Sequence, residues 1–257
     1  MKKAKIGLLA LILIASSISL FGCGVKQENS AGVKTYAVAT DATFPPFEST
    51  TPSGEVVGFD VELIKAIAEA QGFKVNVKHL GWDPMMKAIE NGKADIAAAG
   101  ISIDDERKQK YDFTEPYFDA TQVILVLENS PVASVDDLKG KNIGFQSGTT
   151  GEKAVQKLFG KDYPGAKGYD DLPGAVNDLS TGRIVAVIGD NAVVGEFMKK
   201  SQNNKLKVIK DGRFEVEHYG IMVKKGNTEL LKQLNEGLKK IKENGKYQEI
   251  EGKYFAK

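Results

Sequence analysis

Arg107 stands five residues after Ser102, inside the charged run Asp104-Asp105-Glu106-Arg107-Lys108. A guanidinium is a rigid fork of five N–H donors, and at that spacing it reaches a carboxylate held at the end of the strand before Ser102. A solvated charged turn is the competing reading, and charge alone does not decide between them. Asp190 follows the apolar stretch Ile184–Ile188 and Gly189. It either caps the next helix by accepting backbone N–H groups or takes a cationic ligand group. Phe44, between Asp41 and Pro45-Pro46, and Trp82, in the turn after a strand, are either core aromatics or two faces that sandwich a flat or aliphatic side chain. Gln146-Ser147-Gly148-Thr149-Thr150-Gly151 joins a strand to a helix, where free N–H groups and the helix dipole favour a small carboxylate. It is not a nucleotide loop, because Gly151 is followed by Glu152-Lys153 and not by the Lys-Ser/Thr end of that motif. His79 and His218 lack metal-ligand spacing, and no base is marked for the hydroxyls of Ser147 and Thr149. No metal, cofactor or catalytic nucleophile is expected.

The elements that must carry these residues alternate. Short runs rich in Val, Ile and Ala are separated by segments of helical period, the pattern of an α/β protein whose parallel sheet is flanked by helices. Strands are expected over Thr35–Thr40, Val75–His79, Asp95–Ala99, Val123–Leu127, Asn142–Phe145 and Ile184–Ile188, with extended segments at Lys207–Ile209 and Tyr219–Val223. Helices are expected over Asp60–Gln71, Pro84–Glu90, Thr149–Phe159, Leu172–Leu179, Ala192–Lys199 and Glu229–Asn244, and a helical turn over Ser134–Leu138. The segments Ala88–Ile96 and Asp178–Ala186 repeat one order: helix, glycine stop, basic residue, strand. Two similar α/β lobes with a crossing near Pro116–Thr121 are the simplest architecture for that echo. Ligands of open α/β sheets collect beyond the carboxyl ends of strands, which here deliver Gly100-Ile101-Ser102 and Gly189-Asp190, so a cleft between the lobes is expected.

The amino-terminal stretch concerns location. Lys2, Lys3 and Lys5 precede an apolar run from Ile6 to Phe21, the form of a secretory signal and too short for an ordinary membrane helix. Residues 1–22 are therefore expected to be removed. Cys23, the single cysteine, allows no disulfide within the chain. Its setting, Leu20-Phe21-Gly22-Cys23, resembles a bacterial lipoprotein lipobox, apart from the bulky Phe21, which implies a lipid-bearing Cys23 on the outer face of the cell membrane. Residues 23–32 read as a flexible tether. Removing the leader takes three lysines and moves the formal charge from +1 to about −2. A near-neutral chain of about 225 residues without a basic tract argues against nucleic acid as partner.

Four ordered motifs then carry a resemblance covering Val33 to Lys257: Thr40–Glu48, Gly58–Leu63, Gly100–Arg107 and Asp112–Tyr117. The chain resembles the extracellular solute-binding proteins of polar amino-acid ABC importers, family 3, which include bacterial glutamine-, histidine- and arginine-binding proteins. The resemblance implies a two-lobed periplasmic-binding-protein fold of type II, each lobe a sheet flanked by helices, with two crossover strands as hinge. Lobe 1 would be residues 33–117 and 219–257, and lobe 2 residues 118–218. It further implies that Arg107 clasps a ligand α-carboxylate with Ser102 and Thr150, and that Asp190 takes the α-ammonium. Gly100 would line the floor, Phe44 and Trp82 pack on the ligand side chain, and Asp41 face its tip. Gly81–Pro84, Ala120–Val126 and Gln146, where glutamine binders often carry lysine, resemble arginine and basic amino-acid binders more. The expected function is capture of arginine or another basic amino acid for an ABC permease and its ATPase, as a monomer, with glutamine as the alternative. A cyclohexadienyl or prephenate-type dehydratase on the same fold is the rival from another class; Arg107 and Asp190 together fit an intact zwitterion and argue for no enzyme. A sensor would need a membrane helix and signalling module after Lys257.

Overall fold

The structure is a computed structural model that describes residues 32–200 and 206–255. The leader, Cys23 and nearly all of the tether lie outside the described residues. No helix among the described residues is long and apolar enough to cross a membrane.

Strand β1 (Thr35–Thr40) becomes fully buried toward its carboxyl end. Three short strands, β2 (Thr43–Phe44), β3 (Glu48–Thr50) and β4 (Val56–Val57), fold back on one another as a small antiparallel sheet. Helix α1 (Phe59–Gln71) buries Val61, Ile64, Ile67 and Ala68, the face its periodicity predicts, and stops at Gly72 with φ 72°. Strand β5 (Lys74–His79) pairs in parallel with β1. Helix α2 (Trp82–Glu90) starts two residues before Pro84, so Trp82 opens a helix instead of lying in a turn. Then come β6 (Ile96–Ala97), α3 (Asp105–Lys110), β7 (Tyr111–Phe113) and β8 (Phe118–Leu127).

After the single helical turn Val135–Leu138 follow β9 (Ile143–Gln146), α4 (Thr150–Phe159), β10 (Ala166–Tyr169), α5 (Leu172–Ser180), β11 (Ala186–Asp190) and α6 (Asn191–Lys200). Strands β12 (Leu206–Ile209), β13 (Val216–Tyr219) and β14 (Met222–Lys224) precede α7 (Thr228–Glu243) and α8 (Lys246–Phe255). One sheet has the order β5-β1-β6-β14-β7, the other β10-β9-β11-β8-β12. Both are mixed, which corrects the expectation of parallel sheets: β14 runs antiparallel to β6 and β7, and β8 antiparallel to β11 and β12. The apolar runs of these antiparallel strands are buried on both faces, so they look like parallel strands in sequence.

The echo seen in the sequence is structural. In each sheet a helix leads into a strand that pairs in parallel with a neighbour: α2 into β6 beside β1, and α5 into β11 beside β9. Strand β8, which pairs with β13 along its first half and with β11 and β12 along its second, carries the chain from β7 of the first sheet into the second, and β13 returns it to β14. Around this linking pair sits an aromatic knot. Phe47 packs edge-on against Phe118 at 4.9 Å and against Tyr219 at 5.2 Å, and Phe118 lies 4.8 Å from Phe255 of α8. Such rings bury large apolar areas and constrain one another's orientation, so the knot fixes the linking strands against α1 and α8.

Candidate functional site

Four strands, a parallel pair from each sheet, end at one cavity. Thr40, the last residue of β1, delivers Asp41; β6 leads to Gly100 and Ser102; β9 ends on Gln146; β11 ends on Asp190. The cavity is lined by Asp41, Phe44, Trp82, Gly100, Ser102 and Arg107 from one side, and by Gln146, Thr150 and Asp190 from the other. Every binding residue singled out in the sequence thus lines the same space.

Arg107 is 6% exposed, which removes the reading of a solvated turn. Asp104 caps α3 by accepting the Arg107 backbone N–H at 2.8 Å, and its second oxygen lies 3.8 Å from Arg107 Nε. The guanidinium donates from Nη1 to the Ser102 carbonyl at 2.8 Å and from Nη2 to the Gly148 carbonyl at 3.2 Å. Its carbon lies 5.1 Å from the centre of the Trp82 ring, a cation–π contact. Burial lowers the Arg107 pKa from its usual value, while Asp104, Glu217 and Asp190 raise it. An arginine stays charged under such a balance.

The Asp190 carboxylate accepts from Gln122 Nε2 at 3.0 Å. Burial first, and then the negative Glu217, push its pKa up to about 7, against the pull of Gln122 and Arg107. Glu217 in β13 accepts from the Ser102 hydroxyl at 2.5 Å and from Gln122 Nε2 at 3.2 Å, and the same Gln122 amide reaches Thr150 Oγ1 at 3.2 Å. Gln122 and Glu217 were not singled out in the sequence. Gln122 carried a usable signal, an amide opening the apolar run Val123–Leu127, since a buried amide in such a strand must find partners. Glu217 carried none, because Val216-Glu217-His218 reads as an ordinary half-exposed strand.

Asp41, directly after β1, is 3% exposed. Its oxygens accept from Gln146 Nε2 at 2.8 Å and Thr43 Oγ1 at 3.0 Å. Burial raises its pKa, the two hydrogen bonds opposing. His79 Nδ1 lies 3.9 Å away but accepts the Ala42 N–H at 2.9 Å, so that nitrogen has no proton to offer Asp41. Phe44 presses on Gly100, whose φ is +55°: a Cβ there would sit 2.7 Å from Phe44 Cε1.

The two sides also touch directly. Trp82 Nε1 and Arg107 Nη2 both donate to the Gly148 carbonyl, at 3.1 and 3.2 Å, and Lys153 of α4 bridges to Asp104 and Glu106 at 2.8 and 2.7 Å. The arrangement therefore offers a buried cation, two buried carboxylates and two aromatic rings around one cavity. No cluster of ligating residues that could hold a metal occurs among the described residues.

The model of bacterial extracellular solute-binding proteins, family 3, matches residues 36–257. The chain belongs to that family. Among family 3 relatives, a probable histidine-binding protein of Neisseria gonorrhoeae is 40% identical over 255 residues, covering 97% of this chain and 95% of the relative. The crystal structure of the arginine-, lysine-, histidine-binding protein ArtJ of Geobacillus stearothermophilus superposes with a TM-score of 0.84 at 47% identity, covering 87% of this chain and 96% of that one. An ancestral arginine-binding protein bound to glutamine gives a TM-score of 0.81 at 41% identity, covering 87% and 98%. The two-lobed type II architecture of these binding proteins is that of this chain.

Proposed function

We propose that this chain captures a basic amino acid, arginine first, outside the cytoplasm and delivers it to an ABC permease with its ATPase. The observation that carries the reading is that Arg107, Asp190, Asp41, Phe44 and Trp82 all line one cavity. Arg107, with Ser102 and Thr150, takes the α-carboxylate, and Asp190 takes the α-ammonium. The charged side-chain tip then meets Asp41 between the two rings, with cation–π attraction of about 0.5–2 kcal/mol per contact. Lobe 1 is residues 33–117 and 219–257 and lobe 2 residues 118–218, so the zwitterion contacts both and stabilises closure by its differential affinity for the closed state. Cys23 carries the lipid that holds the protein, a monomer, at the outer face of the membrane, and the cavity performs no catalysis.

Glutamine is the second reading. Asp41 already accepts from the amide of Gln146, and a ligand amide would suit the same oxygens. A thermal-shift panel of free amino acids tests the function. Arginine is expected to raise the melting temperature most, since a ligand at 100 times its dissociation constant stabilises by about 2.7 kcal/mol. No shift with any amino acid, together with turnover of a prephenate-like acid, would replace binding by the dehydratase reading.

A further inference from the structure

Behind the cavity floor lies a carboxyl pair that ligand capture does not use. Glu48 in β3 is fully buried, and neither of its oxygens meets a hydrogen-bond donor among the described residues. Its neighbour is Asp60 in the first turn of α1, 1% exposed. Asp60 Oδ2 accepts the Gly100 N–H at 2.8 Å and the Tyr117 hydroxyl at 2.6 Å, while Oδ1 has no such donor. The charged groups acting on Glu48 are Asp60 and Asp41, both acidic. Two bare carboxylates side by side in a dry interior repel, and their unfilled lone pairs are costly. One proton between them removes the repulsion and supplies Asp60 Oδ1 with a donor, because it turns one carboxylate into a donor to the other. The proton belongs on Glu48: burial and Asp60 hold that carboxyl well above its usual range, whereas burial lifts Asp60 only to about 6, with Tyr117, Gly100 and Glu48 opposing the rise.

We propose that Glu48 is a protonated positioning residue, its O–H donating to Asp60 Oδ1 so that the Asp60 carboxylate stays aimed at the Gly100 N–H and the Tyr117 hydroxyl. Both targets matter to the site. Gly100 lines the cavity in a left-handed conformation wedged between Phe44 and Tyr219. Tyr117 immediately precedes the linking strand β8, donates its N–H to the Tyr219 carbonyl at 2.9 Å and accepts the Tyr247 hydroxyl on its own carbonyl at 2.6 Å. The acid pair therefore ties the cavity floor to the start of the link between the sheets. Only its consequence for affinity rests on the amino-acid reading of the cavity.

The test uses the full chain. Infrared spectra at neutral pH, recorded in an Asp190→Asn background so that this carboxyl does not contribute, should show a protonated-carboxyl C=O band that adding Glu48→Gln removes. Absence of the band, or its persistence once Glu48→Gln is added, would overturn the proposal. Hydrogen exchange at the Gly100 amide, followed by NMR, should stay slow in Glu48→Gln, whose amide N–H replaces the acid O–H as donor. It should quicken at least about tenfold in Glu48→Met, which fills the space without a donor. Unchanged exchange in Glu48→Met would also refute the positioning role, and should that variant fail to fold, the infrared band decides. Binding of L-arginine is expected to hold in Glu48→Gln and to weaken about tenfold in Glu48→Met. If the wild type binds no amino acid while the band and the exchange pattern appear as stated, the cavity reading fails and the role of Glu48 stands.

Discussion

A carboxyl group whose pKa is pushed up to about 7 makes ligand capture depend on pH at Asp190. Raising the folded pKa above the usual 3.8 means that the ligand-free site is favoured with Asp190 protonated, and loses that stability as pH rises through about 7. A bound ammonium relieves the buried charge, so ligand should stabilise more above pH 7 than below. Affinity for L-arginine is expected to fall up to about tenfold per pH unit below 7, with proton release on binding. Calorimetry in buffers of different ionisation enthalpy checks this, and a flat profile between pH 5 and 8 would show that Asp190 does not meet the ammonium. Asp41→Asn should weaken arginine by about tenfold or more and glutamine far less, because only the first ligand loses a charge partner. Equal losses would remove the basic-ligand preference. That Arg107, Asp190, Phe44 and Trp82 would share one cavity was legible in the sequence because each lies at or a few residues beyond the end of a strand, where ligands of α/β sheets collect. Glu217, which raises the Asp190 pKa and holds Ser102, was not, because its importance comes from a partner 115 positions earlier in the chain.

Helices α3 and α4 meet across the cavity, and their contacts should set how firmly it closes. Gly148, just before α4, has φ +73°, and a Cβ there would lie 3.1 Å from Trp82 Nε1. Gly148→Ala therefore combines left-handed strain of about 1–2 kcal/mol with crowding of the carbonyl that Trp82 and Arg107 share. L-arginine affinity is expected to drop about tenfold in titration calorimetry, and an unchanged affinity would mean that this contact plays no part in the bound state. Lys153, with a side chain 40% exposed, bridges to Asp104 and Glu106 and should contribute only about 0.5 kcal/mol. Lys153→Met is expected to weaken binding about twofold and to flatten its salt dependence; a steeper loss would point to a larger role for this bridge. Long periodic helices such as α1 and α7 were readable, as were the apolar strands. Helix α8 was not, because among its residues Tyr247 and Ile250 alone are buried while the aromatic knot holds Phe255. Strands β2–β4 escaped notice for a related reason: they are two or three residues long, and their pairing partners, not their patterns, define them.

At the scale of the whole molecule, the echo of helix, glycine and strand corresponds to two sheets built on one plan, joined by β8 and β13 so that four strand ends converge. The antiparallel members of both sheets were hidden, since burial on both faces erases alternation. Convergence places a cation and a carboxylate around one cavity, and the account stands or falls on whether one small dipolar molecule uses both. Titration calorimetry with L-arginine, agmatine and Nα-acetyl-L-arginine separates the contributions: agmatine lacks the α-carboxylate, and the acetylated compound lacks the α-ammonium. L-arginine is expected to bind, and each analogue to lose at least about 3 kcal/mol, roughly a hundredfold, because each leaves one buried charge without its partner. Binding of either analogue as tightly as L-arginine would contradict the account.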